Sequence, residues 1–179
     1  QFAARYPYLL KADILKYFPS IDHQILKSLF RLKVKDPRAL ELMDMIVDSS
    51  NQQEFVLSYF EGDDLLTPIQ RQRGIPIGNL TSQFFANLYL NPMDHYIKEQ
   101  LGAKAYLRYC DDFAIFSDDK TWLHQVGIQL SQFLAQRLRL KLHPKKSRVS
   151  QVKEGIGFLG LRFFPTYRRV LRGSVVRFR

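Results

Sequence analysis

The chain has 179 residues, 46% of them hydrophobic and 13% aromatic, and carries 27 Lys and Arg against 17 Asp and Glu for a net charge of +10. This length suits one domain or one large part of a bigger protein, and the apolar content excludes a disordered chain. The single cysteine, Cys110, excludes an internal disulfide framework and a cysteine-rich zinc site and fits a reducing compartment; no apolar run approaches the roughly 18 residues of a membrane span.

Taken in chain order, "YPYLLKADI" (6–14) predicts a strand ending at Asp13. "DHQILKSLFRLKV" (22–34) has helical spacing, with Ile25, Leu26, Leu29, Phe30 and Leu32 apolar. "DPRALELMDMIVDS" (36–49) is a cleaner helix, with Asp36 as N-cap and Pro37 at its first position. Residues 51–77 are irregular or weakly stranded, punctuated by Gly62, Pro68, Gly74 and Pro76. A helix is expected from about Leu80, bending at Pro92 and stopping at Gly102. "KAYLRYC" (104–110) and "FAIFS" (113–117) predict a tight hairpin with Asp111 and Asp112 at its tip.

Residues 118–140 form an amphipathic helix, with Asp118–Asp119 in its N-cap region and Trp122, Val126, Leu130, Phe133 and Leu134 on one side. A strand–turn–strand follows over 140–149, then a glycine-punctuated strand pair over 155–165. The order β, α, α, loop, α, β, β, α, β, β gives an α+β fold: an antiparallel sheet with helices packed on one face. Charge is uneven along it. Residues 137–179 hold 13 of the 27 basic residues and one acidic residue, Glu154, which points to a phosphate backbone as partner, with a solvated basic face as the plain alternative.

Asp-Asp pairs are common in surface turns, so Asp111 and Asp112 alone decide nothing. A hard cation such as Mg²⁺ prefers carboxylate oxygens, and a two-metal phosphoryl-transfer site needs about three of them on rigid backbone. Asp13 would complete such a set if its strand neighboured the hairpin. Adjacent strand residues point to opposite faces, so Asp111 is the stronger candidate of the pair. The loop "GIPIGN" (74–79) would let backbone approach a ligand closely, or would simply lead into a core helix. "HPKKS" (143–147) sets two lysines at a turn, by itself a solvated turn, or a place where one lysine would neutralise a triphosphate or donate a proton.

Five stretches, "ADILKYFPSIDH", "GIPIGNLTSQFFANLYL", "YLRYCDDFAIF", "LKLHPKKSRV" and "GFLGLRFF", occur in this order over roughly residues 8–165. Together they resemble the palm motifs of reverse transcriptases of bacterial retroelements. "IGNLTSQ" is most similar to the enzymes of diversity-generating retroelements, with group II intron and retron enzymes as close relatives. The resemblance implies a right-hand polymerase palm with part of the fingers over 1–165, a fingers-like connection over about 31–75, and the start of a thumb over 166–179. Beginning at Gln1 and ending in "RRVLRGSVVRFR", the chain is expected to be a piece of a longer protein.

The resemblance also implies RNA-directed DNA polymerisation with two Mg²⁺ ions, or Mn²⁺ in their place, in the cytoplasm of a bacterial cell. Asp13, Asp111 and Asp112 match the metal-binding carboxylates, and the carbonyl of Ile14 adds a ligand. Lys146 matches the lysine near the triphosphate, with Lys145 as a substitute. Phe18 matches the gate that selects dNTPs, and Gly78 the glycine beside the incoming nucleotide. Tyr109 matches a residue near the primer end, and Phe158, Leu159 and Gly160 the primer grip. Implied partners are an RNA template, a DNA or RNA primer, dNTPs and a basic accessory protein, with no membrane. Ile77 departs from the glutamine many relatives carry before that glycine, which implies looser checking of the base pair and error-prone copying. The alternative is a reverse-transcriptase-like RNA-binding or maturase module with weak or no polymerase activity.

Overall fold

The computed structural model describes residues 2–50, 54 and 56–171. In chain order the elements are α1 (Phe2–Arg5), β1 (Tyr8–Asp13), α2 (Tyr17–Ser20), α3 (His23–Lys33), α4 (Pro37–Asp48), α5 (Thr67–Gln70), α6 (Leu80–Tyr89), α7 (Asn91–His95), β2 (Ala105–Tyr109), β3 (Asp112–Ser117), α8 (Lys120–Leu138), β4 (Arg148–Gln151), β5 (Ile156–Phe158), β6 (Leu161–Phe163) and β7 (Arg168–Val170). They divide into two compact units. One comprises the residues up to 13, 97–129 and those from 143 onward; the other comprises 14–96 and 130–142.

The first unit holds both sheets. A four-stranded antiparallel sheet runs β2-β3-β1-β4, and a three-stranded one runs β5-β6-β7. β1 is central because its sequence alternates two apolar sets. Leu10 and Ala12 lie on one face, where Leu10 packs beside Gly127 of α8. Leu9 lies on the other, in a core with Ala105, Ala114, Phe116, Val152 and Ile156, flanked by Phe2, Leu107 and Phe163. The helix and the second sheet thus cover opposite faces of the first. β7 pairs with β6 as a third strand where the sequence reading had only two. Of the run 166–179 read as a thumb start, Arg168–Val170 form β7 of this sheet and residues 172–179 lie outside the described residues.

The second unit is helical. Phe30 of α3 meets Phe85 of α6 with ring centroids 4.8 Å apart. Tyr89, fully buried, donates to the Leu138 carbonyl at 2.6 Å and accepts from the Asp22 amide at 3.2 Å. Burial pushes its phenol far above the usual range. Asp22 caps α3 by accepting from the Gln24 and Ile25 amides, and Asp36 caps α4 at the Arg38 amide, with Pro37 opening that helix as expected.

The helix expected over 80–102 is instead three segments: α6, α7 and a π-helical turn at Tyr96–Gln100. Pro92 has no N–H to offer the Leu88 carbonyl, so the regular ladder stops at Leu90. Gly102, at φ 64°, ends the run as a left-handed residue.

Candidate active site

β1 pairs with β3 so that Asp13 stands directly opposite Asp112, and β2 places Tyr109 on the other side of Asp112. Directly opposed residues of an antiparallel pair share a face. The hairpin turn is Cys110–Asp111, so Asp112 opens β3 rather than sitting at the tip, a correction to the sequence reading. Cys110 adopts φ 52°, and its carbonyl accepts from Arg108 Nη1 at 3.0 Å. A positive φ at the first central position is what a two-residue hairpin turn requires.

The loop 143–147 is folded onto the end of β1. The His143 amide donates to the Asp13 carbonyl at 2.8 Å, and the Lys146 and Ser147 amides both return to the His143 carbonyl. This winding brings Lys146 Nζ to 2.7 Å from Asp13 Oδ2. Lys145 instead spends its amide on His143 Nδ1. Hydrogen bonding to Asp13 raises the Lys146 pKa.

Both hairpin aspartates are half-buried. Burial pushes the Asp111 carboxyl above its ordinary value, and the charges of Asp13 and Asp112 push the same way; its backbone hydrogen bond and Lys146 oppose them. Burial likewise raises Asp112, against Lys11, whose Nζ lies 2.9 Å from Asp112 Oδ2. Asp112 Oδ1 is buried with no hydrogen-bond partner.

Asp13, Asp111 and Asp112 are in electrostatic contact, the latter two with raised pKa values and Asp112 with an orphaned oxygen as well, and carboxylates so gathered are the donors a hard divalent cation prefers. Among the described residues no group of three or more His, Cys, Asp or Glu is arranged to hold an ion as it stands. Lys146 pairs with Asp13 and Lys11 with Asp112.

Further along the first unit, β5 and β6 are joined by Leu159 and Gly160, at φ 50° and 77°. These two positive values make a tight primed hairpin turn, and they hold Leu159 56% exposed in a conformation costly for a branched side chain. Phe158 lies beneath Lys11, 5.5 Å from Nζ to the ring centroid. The first unit therefore gathers Asp13, Tyr109, Asp111, Asp112, Lys146 and the 158–160 turn.

Ile14, Phe18, Ile77 and Gly78 belong to the second unit. Ile14 is buried and bridges Leu142. Phe18 stacks edge-on against Tyr17, and its carbonyl accepts from the Ile75 amide at 3.1 Å. The Gly74 amide donates to the Ile21 carbonyl, and the Gly74 carbonyl meets His23 Nε2 at 2.8 Å. The loop carrying Ile77 and Gly78 is thereby anchored to the segment after Phe18. Ile77 is 66% exposed, and Gly78, at φ 105°, has nothing within 4 Å of where a Cβ would stand.

Sequence reasoning missed Lys11, although its position two residues before Asp13 on a strand put both on one face. It also missed the buried network around Asp22. There Arg139 Nη1 lies 2.8 Å and Arg71 Nε 3.5 Å from Asp22 Oδ2, and Arg71 also pairs with Asp63. Among the described residues no helix is long and apolar enough to cross a membrane.

A family model described as reverse transcriptase (RNA-dependent DNA polymerase) matches residues 2–163. Protein YkfC of Escherichia coli (strain K12) is 23% identical over 187 residues, covering 87% of this chain and 46% of its own. Among solved structures, apo telomerase from Candida tropicalis truncated from its C-terminal domain aligns with a TM-score of 0.64 at 16% identity, over 92% of this chain and 35% of that one. Telomerase from Candida albicans in complex with a fragment of telomeric RNA aligns with a TM-score of 0.61 at 16% identity, over 94% and 31%. The chain thus spans about half the length of the curated relative and about a third of these structures. The likeness shows the fold: an α+β polymerase palm, partial in extent.

Proposed function

The chain belongs to the reverse transcriptase family, and from that premise we propose that it carries the catalytic palm of an RNA-directed DNA polymerase, adding dNTPs to a primer 3′-hydroxyl on an RNA template. The observation that supports this most is the in-register opposition of Asp13 and Asp112, with Asp111 beside them and Lys146 on Asp13.

Asp13 and Asp111, with Asp112 and the Ile14 carbonyl in support, are the groups that would hold Mg²⁺ or Mn²⁺, and two such ions would supply activation of the attacking oxygen and charge stabilisation of the leaving pyrophosphate. Lys146 neutralises triphosphate charge and is placed to give a proton to the pyrophosphate as it departs. Phe18 limits the space beside the sugar and so favours dNTPs. The bare backbone at Gly78 admits the nucleotide, and the exposed Ile77 offers no hydrogen bond to the base pair. Phe158, Leu159 and Gly160 hold the primer end beside Tyr109, and the basic residues after 137 contact phosphates without reading sequence. The "IGNLTSQ" stretch favours a diversity-generating retroelement, hence error-prone copying and a basic accessory protein.

Primer extension on an RNA template with dNTPs and Mg²⁺ tests this reading. The expected result is extension by the wild type and loss of at least about a thousandfold in Asp111→Asn, since removing a key charge from a preorganised site has effects of that order. RNA binding without extension by the wild type would instead favour an RNA-binding or maturase module.

A further inference from the structure

Lys11 has no place in the reading above, yet it makes two hydrogen bonds and a ring contact beside the site. It leaves β1 on the same face as Asp13, two residues on. Its ammonium donates to Asp112 Oδ2 at 2.9 Å and to the Gly157 carbonyl at 2.5 Å, and it lies over the Phe158 ring. One cation therefore joins three elements: β1, the first residue of β3, and β5. Gly157 is 146 residues from Lys11 in sequence, so no local turn accounts for the contact. Both hydrogen bonds are charge-assisted and only partly exposed, which makes them stronger and more directional than ordinary surface pairs.

The far end of β5 is the Leu159–Gly160 turn. Gly157, the middle residue of β5, turns its carbonyl to the ammonium, so Lys11 links β1 and Asp112 to the strand that leads into this turn.

We propose that Lys11 is a positioning residue: it ties Asp112 to the Phe158–Gly160 hairpin and so fixes where a primer 3′ end lies relative to Asp13 and Asp111. This rests on the polymerase reading for the identity of what the hairpin holds, but not for the tether itself. Asp112 then serves chiefly as the counter-ion of Lys11, leaving Asp13 and Asp111 as the principal candidates for cation binding.

Two measurements test it. In the first, amide exchange is followed in the protein without primer or metal. Lys11→Met removes the donors and keeps the chain length; it is expected to speed exchange over residues 157–161 about tenfold, the loss of roughly one charge-assisted hydrogen bond, with β1–β3 protection unchanged. Unchanged exchange over 157–161 overturns the tether. In the second, steady-state extension is expected to show a primer KM raised about tenfold in Lys11→Met with kcat within about threefold, and a KM recovered to within about threefold of wild type in Lys11→Arg.

An unmoved primer KM, or Lys11→Arg no better than Lys11→Met, overturns the positioning role. If Lys11→Met does not fold, Lys11→Gln takes its place in both assays with the same expectations. Failure of the polymerase reading would appear differently: the wild type would not extend primers at all, while amide exchange would still decide the tether.

Discussion

Arg139 stands at φ 49°, a left-handed conformation at the end of α8, and from there its guanidinium reaches the buried carboxylate of Asp22 at 2.8 Å. A residue with a Cβ pays a conformational penalty of about 1 kcal/mol at such a position, and the pair with Asp22 offsets it. Asp22 accepts from two helix amides and pairs with two arginines, so its removal takes the carboxylate from Arg139 and leaves Arg71 with Asp63 alone. Asp22→Ala is expected to destabilise the fold by about 3 to 5 kcal/mol. Asp22→Asn, which keeps the cap, is expected to cost less. Urea unfolding with an unchanged m-value checks both; equal losses would show that capping contributes nothing beyond charge.

Asp111 and Asp112 both titrate above the ordinary aspartate value. A raised pKa in the folded state means that folding favours the protonated form. The favourable contribution is complete below the unfolded pKa of about 3.9 and is lost as pH rises through the higher, folded value. Asp111→Asn is therefore expected to raise the melting temperature of the metal-free protein at pH 7. The increment should shrink as pH falls towards 4. A difference that stays constant from pH 4 to 7 would show that charge is not its cause.

The same substitution makes a metal prediction. Mn²⁺ at a hundredfold excess over its Kd stabilises a folded binder by about 2.7 kcal/mol, so it should raise the wild-type melting temperature by several degrees and leave Asp111→Asn almost unmoved. Equal shifts in the two proteins would place the binding elsewhere.

Lys146→Ala is expected to slow single-nucleotide incorporation by about a hundredfold at saturating dNTP, the lower range for loss of a proton donor, while Lys145→Ala stays within about threefold of wild type. The distinction rests on the loop winding, which delivers Lys146 to Asp13 and turns the Lys145 amide to His143. A reversed order of the two variants would overturn it.

Ile77→Gln restores a side chain able to hydrogen-bond beside the nucleotide. A lower misincorporation frequency by about tenfold is expected, the scale of one hydrogen bond in discrimination. Matching error rates would remove Ile77 from any account of fidelity.

Gly155 tests the second sheet. At φ 84°, a Cβ there would come within 2.7 Å of the Phe164 ring and of Arg162 Nε. Phe164 is stacked on Tyr167, and Arg162 donates to the Glu154 carbonyl, so neither yields freely. Gly155→Ala is expected to destabilise by about 1 to 3 kcal/mol, measured by urea unfolding; a neutral result would mean the hairpin can shift as a body.

Much of this was legible in the sequence because it is local. The alternation in "YLLKAD", the Asp36–Pro37 start of α4 and the two apolar runs around "CDD" each carry their own periodic or capping signal. What escaped depends on distant partners. Lys11 meets Asp112 across 101 residues and Arg139 meets Asp22 across 117, and nothing near either residue announces the other. The turn at Cys110–Asp111 escaped for a different reason: only pairing with β1 decides which two of three residues form it. The break of the 80–102 helix into three segments was half visible, since Pro92 marked the place but not the π-helical turn that follows.

The position of β1 at the centre of its sheet has a consequence for biosynthesis. The strand is made long before either neighbour: Lys11 precedes Asp112 of β3 by 101 residues, and Asp13 precedes Lys146, just ahead of β4, by 133. Until β3 and β4 have been made, an apolar strand with two unsatisfied edges must wait in the nascent chain, where it invites pairing with other chains. The carboxylates cannot meet before most of this sequence has been translated, so truncated products carry the hazard of β1 without the site it serves.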